Sequence, residues 1–211
     1  MKIQAQFAAC LLALVSSACI TSTEGGQQLR ENVNTTPWLA PSPVLREQIE
    51  EQIERLPWTH GAERVEQIRW LAVVGEAGFE LILPVCLDPR PDVAGAALAA
   101  LGATGDNRLV VPIRELAWPA DETLDKGLRL ERARTLVRLG DWNQLTVLVE
   151  GLSDEEYWTR SWCIQALHEA TKRRFEFDPK GEPELRAKSI ERWREWIESR
   201  RVEGILPGER G

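Results

Sequence analysis

The stretch that decides the fold is Asp92–Asp106, which reads Asp-Val-Ala-Gly-Ala-Ala-Leu-Ala-Ala-Leu-Gly-Ala-Thr-Gly-Asp. Its apolar residues recur every three to four positions, which is the spacing of an amphipathic helix. The closing Gly-Ala-Thr-Gly supplies a tight turn, because glycine adopts backbone angles that other residues avoid. A second apolar run follows at Leu109–Ile113, and its Pro112 is tolerated near the start of a helix. The stretch therefore predicts two short helices joined by a turn.

The same pattern recurs on both sides of this stretch. Gly75–Gly78 and the apolar run Leu81–Val85 precede it, Leu136–Asp141 and another apolar run follow it, and Asp154–Lys172 begins a further unit. One helix pair cannot bury its apolar face alone, so neighbouring pairs stack and build a continuous core. Between residues 62 and 201 there is no alternating strand pattern of useful length. We predict an all-α solenoid of about four helix pairs.

The central unit resembles a HEAT-type repeat. The resemblance rests on Asp92–Asp106 followed by Val111-Pro112-Ile113 and Leu116, and it is closest to the short variety of phycobilisome-lyase-like proteins. Membership of this class implies a non-enzymatic scaffold or adaptor that binds a protein partner. The resemblance also implies that binding uses the concave face lined by the second helices.

The C-terminal part resembles the end unit of many bacterial HEAT-repeat proteins, including lipoproteins. It carries Phe175-Glu-Phe-Asp-Pro179 and, later, Trp193-Arg-Glu-Trp196. Family members often have glycine where this chain has Lys172 and Glu176. The resemblance implies a cap over residues 166–200. Trp193 and Trp196 are three positions apart, so they share one helix face, which we expect to cover the last repeat.

The N-terminus resembles the signal of a bacterial lipoprotein. An apolar run at Phe7–Val15 is too short to span a membrane and has the length of a signal-peptide core. Small residues follow and lead to Cys19, as in a lipobox. The resemblance implies that residues 1–18 are removed and that Cys19 carries the lipid. An ordinary secretory signal that ends beside Cys19 is the alternative. Ile20 is not the aspartate that retains lipoproteins at the inner membrane, so an outer-membrane position at the cell envelope is favoured.

The remaining chain divides by composition. Residues 19–43 are rich in glycine, proline and polar residues and are expected to form a flexible, disordered tether. Ser42 and Pro43 then resemble a helix cap and a first helical residue, before an amphipathic helix over residues 44–56. We expect the solenoid to extend over residues 44–201 and a disordered tail over residues 202–211.

Composition excludes several classes of function. The formal net charge of −7 argues against a general nucleic-acid binder. Two histidines and four cysteines leave little material for a metal site, and His168 lacks the second histidine of a zinc-protease helix. We therefore predict no catalytic residue, metal, cofactor or small-molecule substrate. Cys86 and Cys163 fall in different repeats, so we expect two separate buried thiols.

The chain has nine tryptophans but only one tyrosine and four phenylalanines. Five tryptophans follow helical periodicity, which predicts core packing: Trp70, Trp158, Trp162, Trp193 and Trp196. The other four stand near predicted helix ends, where a partner can reach them: Trp38, Trp58, Trp118 and Trp142. The arginines near residue 130 either form a solvated helix face or bind an acidic partner or lipid. Our candidate partner surface comprises Trp118, Trp142, Arg129 and Arg132.

The sequence thus predicts a lipid-anchored, non-enzymatic HEAT-like protein that binds another protein at the bacterial envelope. One alternative is an envelope assembly or secretion helper of the pilotin type, which escorts a secretion component. A more distant alternative is an enzyme whose carboxylate site carries no recognisable motif.

Overall fold

The computed structural model describes residues 38–202, which are helical and contain no β-strand. The predicted signal peptide, Cys19 and the tail from residue 203 lie outside the described residues, as does most of the predicted tether. Nine α-helices follow one another in this part of the chain: α1 (Pro43–Arg55), α2 (Gly61–Val74), α3 (Glu76–Ile82), α4 (Pro91–Thr104), α5 (Val110–Glu115), α6 (Lys126–Arg138), α7 (Leu145–Glu150), α8 (Tyr157–Thr171) and α9 (Pro183–Val202).

These helices form a solenoid of four pairs, which confirms the predicted fold class. In chain order the pairs are α2 and α3, α4 and α5, α6 and α7, and α8 and α9. The last helix, α9, packs on α7 and on the 3-10 turn that follows α7. The first helices stack in sequence order, α2 on α4, α4 on α6, and α6 on α8. The second helices of the first three pairs are short and are extended by 3-10 turns, such as Leu83–Leu87 after α3. The stacked first helices therefore form the longer and more regular layer.

Glycines in the left-handed region close the turns after the first helices. Gly75, Gly105 and Gly140 have φ angles of 64°, 68° and 102°. The corresponding turn after α8 contains Lys172 at φ 60°, and Glu176 follows at φ 58°. Both side chains therefore stand in a backbone conformation that residues other than glycine disfavour.

The N-terminal helix packs on the first repeat. Ser42 caps α1, as the sequence predicts, since its Oγ accepts a hydrogen bond from the Leu45 amide at 3.3 Å. Ahead of it, the Trp38 ring meets Phe79 edge-on with 5.0 Å between centroids. The Leu39 amide also donates to a Glu76 carboxylate oxygen at 3.2 Å. The chain from Trp38 onward is therefore packed on the first repeat, although its composition assigned residues 38–43 to the tether.

The core consists of two apolar clusters. One lies between α1 and α6 and includes Cys86, and the other lies between α6 and α9 and includes Cys163. Both cysteines are buried free thiols, as predicted, and they belong to different clusters. Burial raises the pKa of each thiol to about 12, so neither is a reactive thiolate at neutral pH.

The C-terminal end is held by an arginine and an aromatic group. Arg160 of α8 is buried, and its guanidinium donates to the Pro179 carbonyl at 2.7 Å and to the Asp154 carbonyl at 2.8 Å. It thereby ties the loop before α9 to the start of α8. Trp193 is fully buried, and its ring meets Trp196 edge-on at 5.8 Å. This agrees with the prediction that both tryptophans share one helix face over the last repeat.

Candidate functional site

A groove runs across the first helices of the solenoid. Its floor is α4, which exposes only small side chains there, while α2 and α6 on either side carry longer ones. The groove has a volume of about 390 Å³. A Cβ atom built on Gly95 would meet nothing within 4 Å, so the space above the floor is open. The residues that shape the groove are Gly95, Ala96 and Ala99 on the floor, Arg64 and Ile68 on α2, and Leu128, Glu131 and Arg134 on α6.

The wall formed by α2 has a compensated charge. Arg64 Nη1 donates to Asp92 Oδ2 at 2.8 Å, and Nη2 donates to the Leu56 carbonyl at 2.8 Å. These bonds link α2 to the start of α4 and fix the position of the guanidinium. The same hydrogen bond holds the pKa of the Asp92 carboxyl below its ordinary value, against the opposing effect of burial.

The wall formed by α6 contains a carboxylate without a hydrogen-bond partner. Only 15% of the Glu131 side chain is exposed, and its Oε1 atom is buried with no partner within residues 38–202. The Arg134 Nη1 atom lies 3.8 Å from Oε2, which is too long for a hydrogen bond. Burial raises the pKa of the Glu131 carboxyl above its ordinary value, and the nearby Glu169 adds to this, while Arg134 and Arg138 oppose it.

Arg134 is held by α8 rather than by Glu131. Its Nη2 donates to both oxygens of Glu169, at 2.8 and 3.1 Å, and its guanidinium lies 5.1 Å from the centre of the Trp162 ring. Arg138 Nη2 adds a third bond to Glu169 at 2.8 Å. Burial alone would raise the pKa of Glu169, but these bonds outweigh it and hold the pKa below its ordinary value. Glu131 therefore has a buried oxygen without a hydrogen-bond partner among residues 38–202, although Arg134 lies within ion-pair distance of its other oxygen.

The structure brings two of the four residues of the predicted partner surface, Trp118 and Arg132, into contact. Trp118 is half-buried, its indole N–H donates to the Ile113 carbonyl at 2.7 Å, and the Arg132 guanidinium lies 5.1 Å from its ring centre. Arg132 is also paired with Asp121 at 2.7 Å. Trp142 packs against the other apolar cluster, and Arg129 is half-buried on α6. Whether any of these residues contacts a partner stays a prediction.

The prediction of core packing is wrong for Trp158, whose side chain is 78% exposed. It stands in the first turn of α8, where its ring meets only Tyr157 edge-on among the described aromatic side chains. Trp58 is 80% exposed and borders a second recess of about 520 Å³ between α1 and the turn after α3. In that recess the charges of Asp88 and Arg90 are paired with each other at 2.7 Å.

Within residues 38–202, no three side chains of metal-ligating types come together. None of the helices in this range is both long and apolar enough to cross a membrane.

Fold and groove together define an α-helical repeat protein with a recessed surface on its first helices. Residues 79–168 match a family model described as HEAT repeats. This segment begins in α3 and ends in α8, so it includes parts of all four helix pairs. Comparisons with curated proteins and with solved structures gave no match. The resemblance to HEAT repeats is confirmed for the matched segment, and repeats of this family are generally scaffolds for protein interaction.

Sequence reasoning missed the groove. The resemblance implies a binding face lined by the second helices, whereas the groove lies on the first helices. Glu131 stands in the run Arg129-Leu-Glu-Arg132 and looks like part of a solvated charged face. The signal that was available is the small-residue pattern of α4, where Gly95 and Ala99 are four positions apart and so share one face.

Proposed function

We propose that this protein is a non-enzymatic, lipid-anchored scaffold of the bacterial cell envelope, which binds a partner protein in the groove over α4. The observation that supports binding there is the Glu131 carboxylate, which has no hydrogen-bond partner among the described residues and stands beside an open groove floor. A buried polar group without a partner costs free energy, which a bound partner recovers. The stacked helices on both sides hold the groove in one shape, which reduces the entropy lost on binding.

The anchor is supported by the N-terminal sequence. In this proposal, residues 1–18 are removed, Cys19 carries the lipid, and the chain between Cys19 and the packed residues holds the solenoid away from the membrane. Acyl chains attached at one cysteine provide stable anchoring when there is more than one of them. Outer-membrane placement follows from Ile20 and remains the favoured form of the proposal.

Site-specific photocrosslinking in cells tests the binding function. A photoreactive phenylalanine analogue is placed at Ala99 on the groove floor, and in a control protein at Ala187 on α9, which is exposed and lies in the last pair. We expect a discrete crosslinked species from position 99 and none from position 187. Gly95→Leu should abolish the species, because the new side chain occupies the groove. Equal crosslinking at both positions, or none at position 99, would contradict the proposal.

Metabolic labelling with a fatty-acid probe tests the anchor. Cys19→Ala should remove the label and move the protein from the membrane fraction to the soluble fraction. The matched control is Cys10→Ala, since Cys10 lies within the apolar run of the signal and should not affect labelling. Labelling that survives Cys19→Ala would refute lipid attachment at this residue.

A further inference from the structure

The charges of the groove are unequally compensated. Arg64 and Arg134 each have a carboxylate oxygen at 2.8 Å, from Asp92 and Glu169 respectively. Each arginine leaves its Nε atom without a partner, but its positive charge is neutralised. Glu131 has no hydrogen bond, and its closest cation is held 3.8 Å away. Asp125 also lines the groove, and its carboxylate accepts a hydrogen bond from the Leu128 amide at 2.9 Å. The groove thus lacks a hydrogen-bond donor at Glu131, and its three carboxylates outnumber its two arginines.

A basic side chain supplies both missing features at once. An ammonium or guanidinium group that reaches Glu131 forms a charge-assisted hydrogen bond in a partly desolvated place, where such bonds are strong. An acidic side chain would instead meet the Glu131 carboxylate, while the charges of both arginines are already paired with Asp92 and Glu169 and their unpartnered Nε atoms are buried. Charge complementarity therefore selects a cation over an anion.

The floor of the groove is suited to a polypeptide backbone. Gly95 and Ala99 present almost no side chain, so another backbone can approach α4 closely. The volume of about 390 Å³ is at the lower end of the range for ligand sites, which is room for one long side chain and its neighbours. Ile68 and Leu128 on the opposite walls offer apolar contact to the methylene groups of that side chain.

We propose that the groove recognises a segment of the partner polypeptide by one basic side chain, whose cationic group binds Glu131 while the adjoining backbone lies over Gly95 and Ala99. This inference rests on the proposed function, because it assumes that the groove is the surface that binds the partner. It adds the chemical identity of the segment and the residue that selects it.

Peptide libraries with one fixed position test this recognition. Three synthetic heptapeptide libraries have random residues around a central lysine, norleucine or glutamate, and each is passed over the immobilised, detergent-solubilised full chain. Retained peptides are measured by mass spectrometry. We expect the lysine library to be retained about tenfold more than the norleucine library, the effect of about one hydrogen bond to a charged group. The glutamate library should be retained least.

Three variants locate the interaction. Glu131→Gln should lower the retention of the lysine library to that of the norleucine library. Gly95→Leu should lower retention of all three libraries to background. Glu80→Gln, on the exposed side of α3, is the matched control and should change nothing. Circular dichroism melts of each variant establish that it is folded.

The outcomes separate this inference from the proposed function. Equal retention of the lysine and norleucine libraries, or a lysine preference that survives Glu131→Gln, would overturn the inference. If crosslinks still form at position 99 in cells, the proposed function stands and only the basic-segment specificity fails. If those crosslinks are absent while the lysine preference depends on Glu131, the groove has the inferred chemistry but the proposed cellular role is wrong.

Discussion

Replacing Gly151 with alanine tests how the third and fourth repeats pack. Gly151 begins the 3-10 turn after α7, with an ordinary helical φ of −61°, so its backbone accepts any residue. The obstacle is space. A Cβ at this position would overlap the buried Sγ of Cys163 on α8 and would lie 3.2 Å from Leu130 Cδ2. The nearest atoms belong to fully or almost fully buried side chains, which have little room to move.

The expected magnitudes follow from this geometry. Overpacking a buried site by one methyl group costs about 1–3 kcal/mol, and we expect Gly151→Ala to fall in the upper half of that range. Cys163→Ala removes a buried sulfur and should cost about 1–2 kcal/mol. In the double variant the new methyl group occupies the space of the sulfur, and the two Cβ atoms are 3.5 Å apart, an ordinary contact. The double variant should therefore lose less than about 1 kcal/mol, since the two substitutions compensate each other.

Urea unfolding under reducing conditions, followed by tryptophan fluorescence and circular dichroism, measures these values. Gly95→Ala is the matched control, because the same added methyl group meets open space there and removes a helical glycine, which should stabilise the protein by about 0.5–1 kcal/mol. Additive costs for Gly151→Ala and Cys163→Ala, within about 0.5 kcal/mol, would refute direct packing of the turn after α7 on α8.

Four further predictions concern individual side chains. Because burial raises its folded-state pKa, the stability that Glu131 contributes is present below its unfolded pKa and is lost as the pH rises through the folded pKa; thermal melts should show that Glu131→Gln becomes more stable relative to the wild type as the pH rises above the ordinary glutamate pKa of about 4.3, and a pH-independent difference would contradict this. Lys172→Gly should stabilise the chain by about 0.5 kcal/mol in urea titrations, since glycine accepts φ 60° without strain; destabilisation would show that the lysine side chain matters more than the backbone. Arg160→Lys should cost about 2–4 kcal/mol, because lysine cannot reproduce the forked bonds to the Pro179 and Asp154 carbonyls; a cost below about 1 kcal/mol would mean that these bonds do not hold the loop. Trp193→Ala should cost about 3–5 kcal/mol and Trp158→Ala under about 0.5, because the first ring is buried and the second exposed; similar midpoints for the two variants would contradict the placement of these rings.

Local sequence patterns were sufficient to predict the helices and the turns between them. Apolar spacing and glycine placement act over a few residues, so Gly75 and Gly105 could be assigned to turns without knowledge of the rest of the molecule. Ser42 could be assigned as a cap for the same reason. The resemblance of the C-terminal part to a family of end units stays a prediction, although Lys172 and Glu176, which it singled out, both have positive φ.

Reasoning from local patterns failed where the packing between repeats determines whether a residue is buried. Helical spacing assigned Trp158 to the core, but the first turn of α8 leaves this ring uncovered. The constraint on Gly151 was also invisible, because Cys163 is far away in sequence and reaches it only through stacking. Helical periodicity predicts which residues share a helix face, but it does not predict which face a neighbouring helix covers.

For this protein, the sequence by itself determined the helices, their turns, the repeat and the class of fold. It also carries the motif at Cys19 on which the proposed anchor depends. Only the tertiary structure decided that Glu131 is largely buried without a hydrogen-bond partner among residues 38–202. That outcome depends on α8, whose Glu169 holds the neighbouring Arg134, and on α4, whose small residues leave the groove open. A charged side chain on a helix face becomes a candidate binding site only when helices distant in sequence shield it from solvent and form ion pairs with its neighbouring charges.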